Sequence, residues 1–259
     1  MNSPLKNQIL RLPGQSLDEK LQDSLYEKLF FPALLILFSV CFIIFEWIRF
    51  YFPFPIEPHP VRTLIAGLIV IIFLSFRLKK NISEIQKIKL GRDGEREVGQ
   101  SLEELRVSGC VVFHDVLGEN FNIDHVVVSP HGIFTIETKA RSKKGGNESI
   151  TFDGEGVIVG SRYPDKHPIT QSIDEAIWLK KILKESTGKE FQVRPVIVFP
   201  GWFVDSTSSK YAQEKKGLWL LNPKALPTFI KNSSVILNDE DLHLVTFHLS
   251  RYIRTMPLN

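Results

Sequence analysis

The stretch IDHVVVSPHGIFTIETKA, residues 123–140, holds two apolar runs around a Ser-Pro-His-Gly turn, yet carries Asp124, Glu137 and Lys139. Side chains alternate across a strand, so Ile133, Thr135, Glu137 and Lys139 share one face, and Asp124 shares a face with Val126 and Val128. Folding the pair at the turn sets Asp124 across from Glu137, with Lys139 at the same end. Two facing carboxylates repel and make poor structural partners. Mg²⁺ removes the repulsion, because it takes oxygen ligands and is commonly held by one or two carboxylates plus substrate phosphate. A nearby ammonium can orient or deprotonate a water, or neutralise charge growing on a phosphate oxygen. Asp124 and Glu137 as metal ligands, with Lys139 beside them, are the minimum set for hydrolysing a phosphodiester. Read singly, each residue has a plainer role: Asp124 as an edge-strand charge, Glu137 and Lys139 as a solvent-facing pair worth little.

Several elements must position these groups. The segment NISEIQKIKLGRDGEREVGQSLEEL, 81–105, has helical periodicity with Val98, Leu102 and Leu105 on one side. GCVVFHDV, FNIDHVVVS and GIFTIETKA read as three strands, and ITFDGEGVIVG as a small hairpin. ITQSIDEAIWLKKILKEST is an amphipathic helix with Ile173, Ala176, Ile177 and Leu179 or Ile182 inward. FQVRPVIVFPG and GLWLLNP follow as strands, then a helix near 223–230 and a last one from 239 to about 252. Helix, three strands, helix, strand predicts an α/β sandwich built on one mixed sheet.

Ahead of this lies a different chemistry. Residues 29–45 and 64–76 are almost wholly apolar, separated by YFPFPIEPHP, whose prolines cannot continue a helix. A span needs about 20 mostly apolar residues. The expectation is a two-helix transmembrane hairpin: an N-terminal segment 1–28, spans at 29–51 and 61–78, an external turn at 52–60, a linker at 79–90 and a soluble domain at 91–259. The first run starts too deep for a cleaved signal peptide. Lys6, Arg11, Lys20 and Lys28 precede the first span, and Arg77, Lys79, Lys80, Lys87, Lys89 and Arg92 follow the second. Only Arg49 and Arg62 flank the turn, so the positive-inside rule places both termini in the cytoplasm, with the chain in the inner membrane and the lipid bilayer as a partner. Cys41 and Cys110 imply no disulfide framework.

The blocks GRDGEREVGQSLEEL, IDHVVVSPHGIFTIETKA, HPITQSIDEAIWLKKIL and PVIVFPG, in that order, resemble the nuclease-related domain family of the PD-(D/E)xK superfamily. The resemblance covers about 91–200, and its strength is the order of four blocks, since an isolated D…ExK is weak. It implies a restriction-endonuclease-like mixed sheet flanked by helices. It also implies a nuclease using Mg²⁺ (or Mn²⁺) on nucleic acid, DNA ahead of RNA. Asp124 is the acid of its IDH block, Glu137 and Lys139 its E-x-K pair, Glu95 its first-helix acid and Gln171 the glutamine of its P-x-x-Q block. Physics alone leaves Glu97 as good as Glu95, since either could simply face the helix macrodipole.

Other chemistries lack their signatures. There is no C-x-x-C or H-E-x-x-H for zinc, no G-K-[ST] ending to the glycine-rich GRDGEREVG, and no G-x-S-x-G elbow. His125, pointing away from the Asp124 face, reads as a core or supporting histidine, and His114 and His131 as structural. From Gly91 onward, 21 Lys and Arg meet 22 Asp and Glu, so no basic stripe for long duplexes is indicated. Arg141, Lys143 and Lys144, or Lys180, Lys181 and Lys184, would suffice for a few phosphate contacts, though such runs are by default solvated faces. The near-neutral balance keeps a second reading open: a non-catalytic, membrane-tethered module that binds nucleic acid or protein. A sensor whose spans signal to the domain is a third. Oligomeric state is not legible.

Overall fold

The computed structural model describes residues 10–52, 55, 57–143, 148–160, 163–205 and 210–255. Lys6, Pro53 and Lys144 lie outside them. The chain divides into two compact units, Ser16–Lys89 and a globular unit of Met1–Gln15 with Leu90–Asn259.

In the first unit, α1 (Gln15–Leu25), a π-helical turn (Tyr26–Phe30) and α2 (Phe31–Tyr51) form one helical run. The helix α3 (Pro60–Arg106) begins here and continues into the globular unit, so the segment 79–90 expected as a linker is helical. Two helices, Gln15–Tyr51 and Pro60–Arg106, are long and apolar enough to cross a membrane, and their apolar windows are only 11% and 6% buried. Phe38, Phe42, Ile69 and Phe73 stand exposed, where a helix in a soluble core would bury them. The two helices meet antiparallel at three levels. Lys28 Nζ pairs with Glu84 at 2.7 Å, Gly67 faces Ile43 so closely that a Cβ would lie 2.6 Å from it, and Glu46 Oε2 accepts the His59 N–H at 3.1 Å. A small residue at such a crossing is what close helix packing requires.

The globular unit is built on a five-stranded sheet in the order β1-β2-β3-β6-β8. The strands β1 (Val111–Leu117), β2 (Asn122–Ser129) and β3 (Gly132–Thr138) form an antiparallel meander. β6 (Val193–Val198) and β8 (Trp219–Leu221) then add in parallel. Between β3 and β6 the chain makes β4 (Ser149–Phe152), β5 (Val157–Val159) and α4 (His167–Thr187). β4 and β5 do not join the main sheet. With β7 (Phe203–Val204) they make a separate three-stranded sheet in the order β5-β4-β7. The expectation of one sheet is therefore corrected: the parallel β4–β7 pairing joins residues more than 50 apart, which no local pattern announces. The short helices α5 (Lys210–Lys216) and α6 (Leu226–Lys231) and the final α7 (Asp239–Thr255) complete the unit.

Two apolar clusters sandwich the main sheet. Val98, Leu102 and Leu105 of α3 pack with Val127, Phe134, Ile136 and Val196 on one face. Leu179 and Leu183 of α4, with Val245 and Leu249 of α7, pack on Val126, Val128 and Ile133 on the other. The inward face of α4 is also corrected. Ile177 is 61% exposed, and the buried stripe runs through Ile169, Ser172, Glu175, Ala176, Leu179 and Leu183. Arg11, counted from sequence as a membrane-flanking charge, is instead buried in the globular unit against Asp115, Nε to Oδ2 2.8 Å. Asp115 sits at φ 50°, a conformation that Asp tolerates better than most residues.

Candidate functional site

The meander sets the site. Its register pairs His125 with Ile136, so the next step along the ladder brings Asp124 opposite Glu137. There the ladder ends, and Asp124 Oδ2 accepts the Thr138 backbone N–H at 2.7 Å in place of a strand partner. Alternation keeps Asp124 and Glu137 on the face of Val126, Val128 and Ile133, the face that α4 covers. Lys139 lies just past the end of β3, tied to β6 through its N–H to the Val198 carbonyl at 2.9 Å.

Helix α4 lays Gln171 and Glu175, one turn apart, over this end of the sheet. Lys139 Nζ donates to Glu137 Oε1 at 2.5 Å and to Gln171 Oε1 at 2.8 Å. Gln171 Nε2 in turn donates to Glu137 Oε1 and to Glu175 Oε1, both at 2.9 Å. This network fixes the amide orientation, since the reverse would set the NH₂ against the ammonium and the carbonyl against two carboxylates. Glu175 is buried, and sequence reasoning passed over it. The available signal was its i+4 spacing from Gln171 on a helix whose apolar phase was misread.

Helix α3 contributes Glu95. Gly94 lets the helix approach the end of β3, because a Cβ there would lie 2.8 Å from the Ala140 Cβ and 3.6 Å from Thr138 Cγ2. Glu95 is buried and raises the proton affinity of Asp124, while Glu97 is exposed, so the structure separates two acids that the sequence could not. Arg141 and Lys143 are held by other partners. Arg141 pairs with Asp165 at 2.8 Å and Lys143 Nζ lies 5.4 Å from the centre of the Trp202 ring. Lys181 and Lys184 are exposed and face Glu185 and Glu190.

The electrostatics are those of crowded acids. Burial, then the charges of Glu137 and Glu95, hold Asp124 well above the usual carboxylate range, against the pull of the Thr138 N–H. Burial, then Glu137, push Glu175 up to about 9. Behind Asp124, His125 meets His114 Nδ1 to Nδ1 at 2.9 Å, so one ring donates and the other accepts. Burial drives both histidines below their ordinary values, most strongly His125, where His114 adds to the effect. His131 bonds the Ser233 carbonyl at 2.5 Å, away from the acids.

The order of helix, acid-bearing hairpin, glutamine helix and apolar strand is therefore laid out in space around one cluster, and residues 90–200 match the family model described as nuclease-related domain. A nuclease-related domain spans this part of the chain. No curated relative and no solved structure matches the chain. The nuclease-related domain includes α4, β1–β6 and the C-terminal part of α3, and so holds every residue of the carboxylate–lysine–glutamine cluster.

The donor set can be tested against a hard divalent cation. Glu137 Oε2 and Glu175 Oε2 are buried with no hydrogen-bond partner, which is costly for an acceptor unless something else meets it. Among the described residues no group of three or more His, Cys, Asp or Glu side chains is gathered to hold a metal. The orphaned Glu137 Oε2 is the atom a hard cation could meet, since Mg²⁺ is commonly held by one or two carboxylates together with water and phosphate.

Proposed function

We propose that the chain is a membrane-anchored, cytoplasm-facing, metal-dependent nuclease that hydrolyses phosphodiester bonds in nucleic acid. The observation that carries this reading is the meeting of Asp124 and Glu137 at the end of one hairpin with the Lys139 ammonium held beside them by Gln171. Asp124 and Glu137 would hold Mg²⁺ or Mn²⁺, which when bound would supply the Lewis acidity that polarises the phosphodiester. Lys139 Nζ donates to Glu137 Oε1 and Gln171 Oε1, and from there can orient the attacking water or meet charge growing on a phosphate oxygen. Glu95 would steady Asp124 or orient the same water. The two apolar helices and the basic flanks support the anchor and its orientation.

The test is cleavage of labelled DNA and RNA by the full chain in detergent with Mg²⁺ or Mn²⁺. Activity is expected for the wild type and is expected to be lost in Glu137→Ala and Lys139→Ala. Cleavage undiminished in both variants would overturn the proposal. Nucleic-acid binding without cleavage in any cation would turn it toward a tethered binding module.

A further inference from the structure

Beside the carboxylate cluster lies a cleft of about 270 Å³ lined by Phe121, His167, Thr170, Gln171, Asp174 and Glu175. Gln171 and Glu175 belong to both, so whatever enters the cleft touches the proposed site. Small-molecule pockets span roughly 300–1,000 Å³, so this one is sized for a single planar ring system rather than a whole nucleotide.

Its walls select what that ring system is. Phe121 is fixed by the turn it closes: its carbonyl accepts the Gly118 N–H at 2.7 Å, and a Cβ on Gly118 would lie 2.8 Å from the ring. Trp178 meets the same ring edge-on at 5.2 Å, with 84° between the planes. An aromatic wall held in this way is a stacking platform, and any base offers a π face to it. Asp174 argues against a phosphate in the same space: its exposed carboxylate would repel the backbone, whereas it accepts readily from an exocyclic amino group, as in carboxylate contacts to cytosine N4. Thr170 can donate or accept at the edge. A base stacked within a duplex cannot lie against a protein wall, so the occupant must be unpaired or turned out.

We propose that this cleft receives the unpaired, amino-bearing base next to the scissile phosphate, so that the site takes single strands and frayed ends ahead of intact duplex. The proposal rests on the phosphodiesterase reading above. It makes Phe121 a substrate-binding residue and Asp174 the group that favours adenine, cytosine or guanine over thymine or uracil.

The experiment uses the full chain in detergent with Mg²⁺. The substrates are a labelled single strand, the same strand in duplex, and the same strand carrying abasic residues. Wild type is expected to cut the single strand about tenfold more efficiently than either of the others, the scale of one lost base–aromatic stack. Phe121→Ala is expected to lose about tenfold on the intact strand and little on the abasic one. Equal losses on both, or a preference for duplex by the wild type, would overturn the proposal. Asp174→Asn, an exposed and structurally mild change, is expected to erase discrimination between cytosine and thymine strands, and unchanged discrimination would remove Asp174 from recognition. A strand carrying 2-aminopurine supplies a readout without cleavage. Its fluorescence should change on binding to wild type and not to Phe121→Ala, with thermal melts showing both folded. Should the wild type cut nothing, the nuclease reading fails, and the Phe121-dependent signal alone decides the cleft: present it stands, absent it falls.

Discussion

The side-chain amide of Asn81 donates to the backbone carbonyl of Lys28 at 2.8 Å, and Pro32, four residues further on, has no N–H to give that carbonyl. The π-helical turn Tyr26–Phe30 lies at the same place, where the regular ladder is broken. A part-buried backbone carbonyl left without a partner costs free energy comparable to a lost hydrogen bond. Asn81→Leu should therefore destabilise the helix pair by about 1–3 kcal/mol. In a Pro32→Ala background, which restores the N–H, the same change should cost little. Unfolding of the detergent-solubilised chain measures both, and equal losses in the two backgrounds would contradict the relation.

Gln171 is the joint between Lys139 and the two glutamates. Gln171→Leu takes one of two acceptors from the Lys139 ammonium, leaving it on Glu137, and removes a donor from each carboxylate. Loss of a group that orients metal ligands typically costs about 10–100-fold in activity or metal affinity. The expected result is a fall in kcat of that order with a modest change in KM. A pure rise in KM would show that Gln171 only binds substrate.

Crowded acids give the stability a definite pH dependence. Burial and neighbouring carboxylates hold Asp124 well above its ordinary range and Glu175 up to about 9, while burial keeps His114 and His125 low. Above pH about 7 the histidines are neutral in both folded and unfolded chains. There the folded, cation-free chain holds more protons than the unfolded one, so its stability falls as pH rises toward about 9. Melting temperatures in chelator should drop from pH about 7 to about 9, and Glu175→Gln should flatten the slope. On the proposed function Mg²⁺ would take the ionised form, and adding it should offset the drop in the wild type. A flat profile in chelator would contradict the raised proton affinities.

Gly94 sets the approach of α3 to the site. Gly94→Ala places a methyl 2.8 Å from the Ala140 Cβ, where neither backbone yields readily. Overpacking of this kind costs about 1–3 kcal/mol, and it should also move Glu95 from Asp124 and lower cleavage. The double change Gly94→Ala with Ala140→Gly should recover most of both. Thermal melts and cleavage rates on the same samples check it.

The strands and their charged face were legible because a period of two leaves no freedom: once residues 123–140 fold at Ser129–Gly132, Asp124 must face Glu137. The apolar helices were legible by length and composition, which need no partner to be read. Glu175 was hidden for the opposite reason. A carboxylate in the buried stripe of a helix makes sense only where Gln171 and the end of β3 meet it, and Ile177 offered a more apolar phase that solvent in fact receives. The choice of Glu95 over Glu97 needed the close approach at Gly94, and the second sheet needed the distant pairing of Ile150 with Val204.

Local pattern thus determined which side chains share a strand face and which helices are apolar throughout, since both follow from backbone geometry within a few residues. Which acids crowd together, which lysine is held against them and which cleft opens beside them were decided by α3 and α4 crossing one end of the sheet. That crossing is set by packing between segments far apart in the chain, and no single segment encodes it.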